Sequence, residues 1–115
     1  DGKNTNGTYR KVMQLKFCFD SGSGICLWAA DTATEQQLGY AVELSQLPLS
    51  ENTQRWLTHL IAWFDTSIDW SEPTRAGQYW TPAEQQRFQA ACQIGLDLLR
   101  HDLPASAYRI VAIQI

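Results

Sequence analysis

The sequence is poor in the residues that hold metals and disulfides, with only three cysteines and two histidines. It contains no Cys-x2-Cys pair, and His59 and His101 are far apart, so we expect neither a metal nor a cofactor. An odd number of cysteines also argues against the disulfide framework of a small secreted domain. Cys18 and Cys26 flank a Ser-Gly-Ser-Gly turn where a disulfide is feasible, but reduced thiols in a cytosolic protein are the expectation.

Long hydrophobic runs are also missing from the sequence. No run approaches the ~20 apolar residues of a membrane span. The N-terminal residues lack the apolar core of a signal peptide. The sequence therefore predicts a soluble, cytoplasmic protein without a membrane partner.

Positive charge is scarce outside the first 16 residues. The remaining 99 residues hold five bases and eleven acids, a net charge of −6. Because nucleic-acid-binding domains are usually basic, nucleic acid is not an expected partner. An acidic body favours a basic protein partner, or serves solubility alone.

The length and composition fit one globular domain of 115 residues, of which 44% are hydrophobic and 18% charged. Residues 1–12 are polar and show no periodicity, so we expect a flexible N-terminal extension or vector-derived residues there. Residues 13–115 are predicted to form a single α+β domain.

Strands are predicted at both ends of this domain. Residues 13–19 alternate between apolar and polar and predict a half-buried strand. Residues 25–30 follow a turn at 21–24 and predict its hairpin partner, and the β-branched segment 110–115 predicts a last strand.

The register of the hairpin follows from its apolar side chains. Pairing Phe17 with Leu27, and Phe19 with Ile25, keeps one face continuously apolar. Two residues are then expected on the other face: Cys26 and Trp28.

Three helices are predicted between the hairpin and the last strand. Asp31 or Thr32 caps a short helix that Gly39 ends, and Ser50 and Thr81 cap two long amphipathic helices. The second helix carries an apolar stripe that Trp56 and Trp63 widen: Leu57, Leu60, Ile61, Phe64 and Ile68. The predicted order is β-β-α-α-α-β. This order indicates an α+β fold in which a small antiparallel sheet is packed on one face by the two long helices and the short one.

Paired carboxylates are the main catalytic possibility in the sequence. Asp65 and Asp69 are four residues apart, and acid–base work would require surroundings that separate their pKa values. No nucleophile motif or phosphate-binding loop accompanies them. We therefore predict no enzymatic activity and assign no catalytic residue. The alternative is an enzyme or small-ligand-binding protein that uses both aspartates in a tryptophan-lined pocket.

The segment after the second helix mixes aromatic rings with acids and is the predicted partner-binding site. Its candidate contacts are Asp65, Asp69, Trp70, Glu72 and Tyr79. Rings provide contact area at low entropy cost, and carboxylates select a basic surface. Two other tryptophans of this region, Trp56 and Trp80, are expected to pack into the core.

Three stretches resemble a family of small single-domain bacterial proteins: CLWA at 26–29, LGYAVELSQLPLS at 38–50 and WFDTSIDWSEP at 63–73. The shared order is a hairpin ending in CLW, a GY segment, LPLS opening a helix, and a W-[FY]-D-T-S-[IL]-D-W turn before the final helix. The resemblance spans residues 26–88. Such proteins are similar in size and acidity to immunity proteins of bacterial toxin–immunity systems.

That resemblance implies a non-enzymatic protein that binds a cognate, basic toxin domain and occludes its active or substrate-binding surface. The positions that match the family turn are Asp65, Thr66, Ser67, Asp69 and Trp70. The resemblance also allows a scaffold role, in which Asp65 and Thr66 cap the turn and Trp70 fills the core. A housekeeping interaction or oligomerisation module is the remaining alternative. The sequence does not define the oligomeric state.

Overall fold

A computed structural model describes residues 12–72 and 79–115. The predicted extension, apart from residue 12, lies outside the described residues. The elements are, in order, β1 (Met13–Cys18), β2 (Leu27–Ala29), α1 (Thr32–Leu38), β3 (Ala41–Val42), a 3-10 turn (Leu44–Gln46), α2 (Glu51–Asp65), α3 (Pro82–Asp102) and β4 (Tyr108–Gln114). The α+β class is confirmed, and the order differs from the prediction by the short strand β3.

The described strands form one sheet in the order β3-β2-β1-β4, with β1 and β4 parallel. The prediction of a wholly antiparallel sheet is therefore wrong. Parallel neighbours need a long crossover connection, and the helices between β1 and β4 provide one. Strand direction depends on this connection and not on the apolar pattern of the strand itself.

The β1–β2 hairpin has the predicted pairing of Phe17 with Leu27. The second predicted pair, Phe19 with Ile25, lies outside the ladder because β2 begins only at Leu27. Cys26 therefore precedes the strand and does not follow its alternation of faces. Its side chain is buried in the core instead of lying on the opposite face.

The described helices begin where the sequence places their caps. The side chains of Asp31, Ser50 and Thr81 each accept a hydrogen bond from the backbone N–H three residues later, at 2.9, 3.2 and 3.1 Å. The cap of α1 is thus Asp31 and not Thr32. Gly39 ends that helix with a φ of +85°, a conformation that glycine adopts without strain.

The core lies between the sheet and helices α2 and α3. Its fully buried leucine and phenylalanine side chains come from both layers: Leu15, Phe17, Leu27, Leu57, Leu60 and Leu99. Gly95 of α3 faces α2, where an added Cβ would lie 2.9 Å from Leu60 Cδ1. The absence of a side chain at this position therefore sets the close approach of the two long helices.

An aromatic cluster extends the core from the end of α2 to the start of α3. The ring centroid of Phe88 lies 4.8 Å from Trp80, 5.2 Å from Phe19 and 5.4 Å from Trp63. Phe64 stacks on Phe19 at 5.5 Å. The cluster packs the end of α2 and the start of α3 against Phe19, which follows β1.

The three cysteines are free. Cys26 and Cys92 are buried, and burial raises the pKa of each thiol to about 12. The partly exposed Cys18 thiol is directed to Gln114 Oε1 at 3.7 Å. Cys18 and Cys26 are therefore not bridged, although the backbone N–H of Cys18 donates to the carbonyl of Cys26 at 3.0 Å.

Candidate partner-binding site

The predicted contacts Asp65, Asp69, Trp70, Glu72 and Tyr79, hereafter the rim, all lie within the described residues. They follow or end α2 and precede α3. Three of them, Trp70, Glu72 and Tyr79, are exposed, and the two aspartates are partly exposed. Residues 73–78, which include Arg75, lie outside the described part of the chain.

The scaffold of the rim is the hydrogen-bonded end of α2. Thr66 donates its backbone N–H and its hydroxyl to the carbonyl of Trp63, at 3.0 and 2.7 Å. Ser67 donates the same two groups to the carbonyl of Phe64, at 2.9 and 2.7 Å. Ser67 is fully buried. These residues satisfy carbonyls that a helix end would otherwise leave unpaired.

Asp65 links the end of α2 to the β1–β2 turn. Its Oδ1 accepts a hydrogen bond of 3.2 Å from the backbone N–H of Gly22. This hydrogen bond differs from the capping role that the family resemblance allowed for Asp65, because the N–H belongs to the distant β1–β2 turn and not to the turn that follows α2.

Asp69 forms a tight turn with the residues that follow it. Its Oδ1 accepts hydrogen bonds from the backbone N–H of Ser71, at 3.0 Å, and from the Ser71 hydroxyl. Its carbonyl accepts from the backbone N–H of Glu72 at 2.8 Å. Because the chain reverses here, Trp70 is held at the outside of the turn.

The rim rings and Trp80 have opposite environments. Trp70 is 55% exposed and Tyr79 is 64% exposed, so the suggestion that Trp70 fills the core is wrong. Trp80 is half-buried, and its indole N–H donates to Thr66 Oγ1 at 3.1 Å. Trp56 is also half-buried, with its indole N–H donating to the carbonyl of Ala91 at 3.0 Å. Trp56 and Trp80 both pack against the core cluster.

The two rim aspartates do not line the cavity that lies beside them. This cavity of about 300 Å³ opens between α3, the loop after α2 and the end of β4, and both aromatic and polar side chains line it. Its lining includes Ser67 and Trp80, but not Asp65 or Asp69. Within residues 12–72 and 79–115, no group of three or more His, Cys, Asp or Glu side chains is placed to hold a metal ion.

Sequence reasoning missed two surfaces that the structure exposes. The β1–β2 turn was treated only as a hairpin connection, yet Gly22 lies against the ring of Trp70. The edge strand β4 exposes Val111 and Ile113, at 46% and 44%. The signal in the sequence for the first surface is the pair of glycines in the Ser-Gly-Ser-Gly turn, both of which adopt a positive φ.

Comparison with known proteins identifies one family for most of the chain. A family model described as Serratia CdiI immunity protein-like matches residues 13–112, from the start of β1 into β4. No curated protein matches the chain. In the described residues, none of the helices has the length and apolar character needed to cross a membrane.

Proposed function

This chain belongs to the Serratia CdiI immunity protein-like family, and from that membership we propose that it binds a cognate bacterial toxin domain and neutralises it by occluding the toxin's active or substrate-binding surface. The observation that carries the proposal is the exposure of two rings beside carboxylates: Trp70 lies on the hydrogen-bonded turn of Asp69, and Tyr79 donates its backbone N–H to the carbonyl of Ser67. A family of immunity proteins also favours a non-enzymatic role.

Affinity would come mainly from the rings. Exposed tryptophan and tyrosine side chains are typical binding hot spots because they bury large areas at little conformational cost. The turn made by Asp69 fixes the backbone around Trp70 before binding, so little ordering entropy remains to be lost.

The acids would select and attract the partner. Glu72 is exposed beside Trp70, and the chain outside its first 16 residues has a net charge of −6. A negative surface speeds encounter with a basic protein and disfavours nucleic acid. We therefore propose a basic toxin domain as the partner.

The proposed location is the cytoplasm of the producing cell. Three free cysteines fit a reducing compartment, where thiols are kept unpaired.

Co-expression with the toxin domain encoded by the adjacent gene tests the proposal. The two proteins should copurify, and the chain should restore growth to cells that make the toxin. Trp70→Ala should raise the dissociation constant for the toxin domain about 30-fold, since truncation of a hot-spot side chain costs about 2 kcal/mol of binding free energy. Tyr40→Ala removes an equally exposed ring outside the rim, 55% exposed, and should leave affinity within about threefold.

Charge reversal tests the acidic part of the rim. Glu72→Lys should slow association and make it less dependent on salt. Asp97→Lys makes the same change in net charge on the exposed side of α3 and is the matched control. If the toxin neither copurifies nor is neutralised, the immunity function is wrong, and a housekeeping interaction module becomes the better hypothesis. If binding persists unchanged in Trp70→Ala and Glu72→Lys, the interface lies elsewhere.

A further inference from the structure

We infer that residues 20–23 of the β1–β2 turn belong to the same partner-binding surface as the rim, and that Gly22 and Asp65 are positioning residues that hold Trp70. The inference rests on the proposed function, and it adds a second chain segment to the binding surface. It also gives Asp65 a different role from the direct partner contact expected from the sequence.

The first link between the two segments is the hydrogen bond from Gly22 N–H to Asp65 Oδ1. Asp65 is the last residue of α2, where a negative charge is disfavoured by the partial negative charge of the helix C-terminus. The N–H of Gly22 donates to this carboxylate and joins residues that are 43 positions apart in sequence.

The second link is the contact between Gly22 and the ring of Trp70. A Cβ added to Gly22 would lie 3.5 Å from Trp70 Cη2 and 3.8 Å from Cζ3, so one edge of the ring borders this backbone position at van der Waals distance. The φ of Gly22 is +76°, which a side chain would also strain. Both links therefore meet at one glycine, which lies between Asp65 and Trp70.

The exposed part of Trp70 borders the turn as a result. Asp20, Gly22 and Ser23 are exposed. The turn is closed by hydrogen bonds from the backbone N–H and hydroxyl of Ser23 to the carbonyl of Asp20, at 3.3 and 3.0 Å. A partner that buries the indole must exclude water from its whole perimeter, which includes this turn.

The partner surface that fits has an apolar pocket for the indole and basic side chains around it. These would reach Glu72 of the rim and Asp20 of the turn, two exposed acids on separate segments of the composite surface.

Variants of Asp65 separate positioning from direct charge contact. Asp65→Asn keeps an oxygen that can accept from Gly22 N–H, whereas Asp65→Ala removes it. We expect Asp65→Ala to raise the dissociation constant for the toxin domain of the adjacent gene about tenfold. Asp65→Asn should keep this constant within about threefold of the value for the unmodified chain. Equal weakening by both variants would mean that the charge itself acts on the partner, and would overturn the inference.

The turn offers a matched pair of glycines for the second test. Gly22 and Gly24 have nearly the same φ, +76° and +71°, but a Cβ on Gly24 would meet nothing within 4 Å. Gly22→Ala and Gly24→Ala therefore impose nearly the same backbone strain, but relaxing it at residue 22 would move both the N–H that binds Asp65 and the backbone beside Trp70, whereas residue 24 takes part in neither contact. We expect about tenfold weaker binding for Gly22→Ala and a change within about threefold for Gly24→Ala. Similar values for the two variants would refute the positioning of Trp70 by the turn.

Trp70→Ala distinguishes failure of this inference from failure of the proposed site. If Trp70→Ala weakens binding while Asp65→Ala and Gly22→Ala do not, the inference is wrong and the proposed function stands. If Trp70→Ala binds as well as the unmodified chain, the proposed site and the inference both fail. Amide exchange of Gly22, measured by NMR without toxin, should be slow in the unmodified chain and in Asp65→Asn but fast in Asp65→Ala. Equal exchange in all three would show that the link does not hold the turn.

Discussion

The junction between the end of α3 and the start of α2 yields a stability prediction with a defined pH dependence. The carboxylate of Asp102, the last residue of α3, accepts a hydrogen bond of 2.9 Å from the backbone N–H of Ser50, the N-cap of α2. Its side chain is only 10% exposed. A hydrogen bond from the Thr53 hydroxyl, together with those from Ser50 and His101, holds the pKa of Asp102 well below its usual value of 3.8.

Replacing this carboxylate should destabilise the fold measurably. Hydrogen bonds to charged groups contribute about 1.5–3 kcal/mol each, and Thr53, one of the partners left behind, is fully buried. We expect Asp102→Ala to lower the free energy of unfolding by about 2–4 kcal/mol, and Asp102→Asn, which keeps an acceptor, by about 1–2 kcal/mol. Asp97→Ala removes an exposed acid from the same helix and should change stability by less than about 0.5 kcal/mol.

The pH dependence provides the sharper test. A group whose pKa is lowered by folding stabilises the folded state above its unfolded pKa, and this contribution is lost as the pH falls through its folded pKa. The difference in unfolding free energy between the unmodified chain and Asp102→Asn should therefore be constant from pH 7 to about pH 5. It should then shrink below the unfolded pKa of 3.8. Urea titrations at each pH, followed by tryptophan fluorescence, measure this difference in unfolding free energy. A difference that is negligible at pH 7, or unchanged at pH 3, would refute the reasoning.

Two further predictions concern the helix interface and the thiols. Gly95→Ala should lower the free energy of unfolding by about 1–2 kcal/mol in urea titrations, because the clash with Leu60 outweighs the gain in helix propensity. A more stable variant would show that the helices separate without cost. A thiol reagent at pH 8 should label Cys18 rapidly in the native protein and reach Cys26 and Cys92 only after unfolding, because burial raises the pKa of both to about 12. Rapid native labelling of all three would contradict the buried positions.

The helices were predictable because their signals are local. Ser50 and Thr81 cap helices that begin at the next residue, and the apolar stripe of α2 is buried through Leu57 and Leu60. The sheet was less predictable because its pairing is set by distant segments. The two-residue strand β3 is too short for a periodicity, and the direction of β4 depends on the helical crossover.

The rim shows the same division between local and distant information. The sequence predicts Trp80 in the core, but it leaves Trp70 open as a partner contact or as part of the core. Trp80 packs on Phe64 and Phe88, contacts that form only when α2 and α3 lie together, whereas Trp70 is exposed. The partner of Asp65 was unpredictable for another reason: Gly22 approaches it only after the hairpin and α2 have packed together.

The parallel pairing of β1 with β4 has a consequence for how quickly a new chain becomes functional. Met13 pairs with Tyr108, so the central strand gains its second neighbour from a segment about 95 residues away in the sequence. Helices α2 and α3 form from local contacts, but this closure brings together the two ends of the domain, and such non-local contacts slow folding. During synthesis, β1 is made before every other described element, and its pairing with β4 can form only after β4, the last of them, has been made. Under the proposed function, we expect this non-local strand pairing to lengthen the interval between synthesis and protection from the toxin.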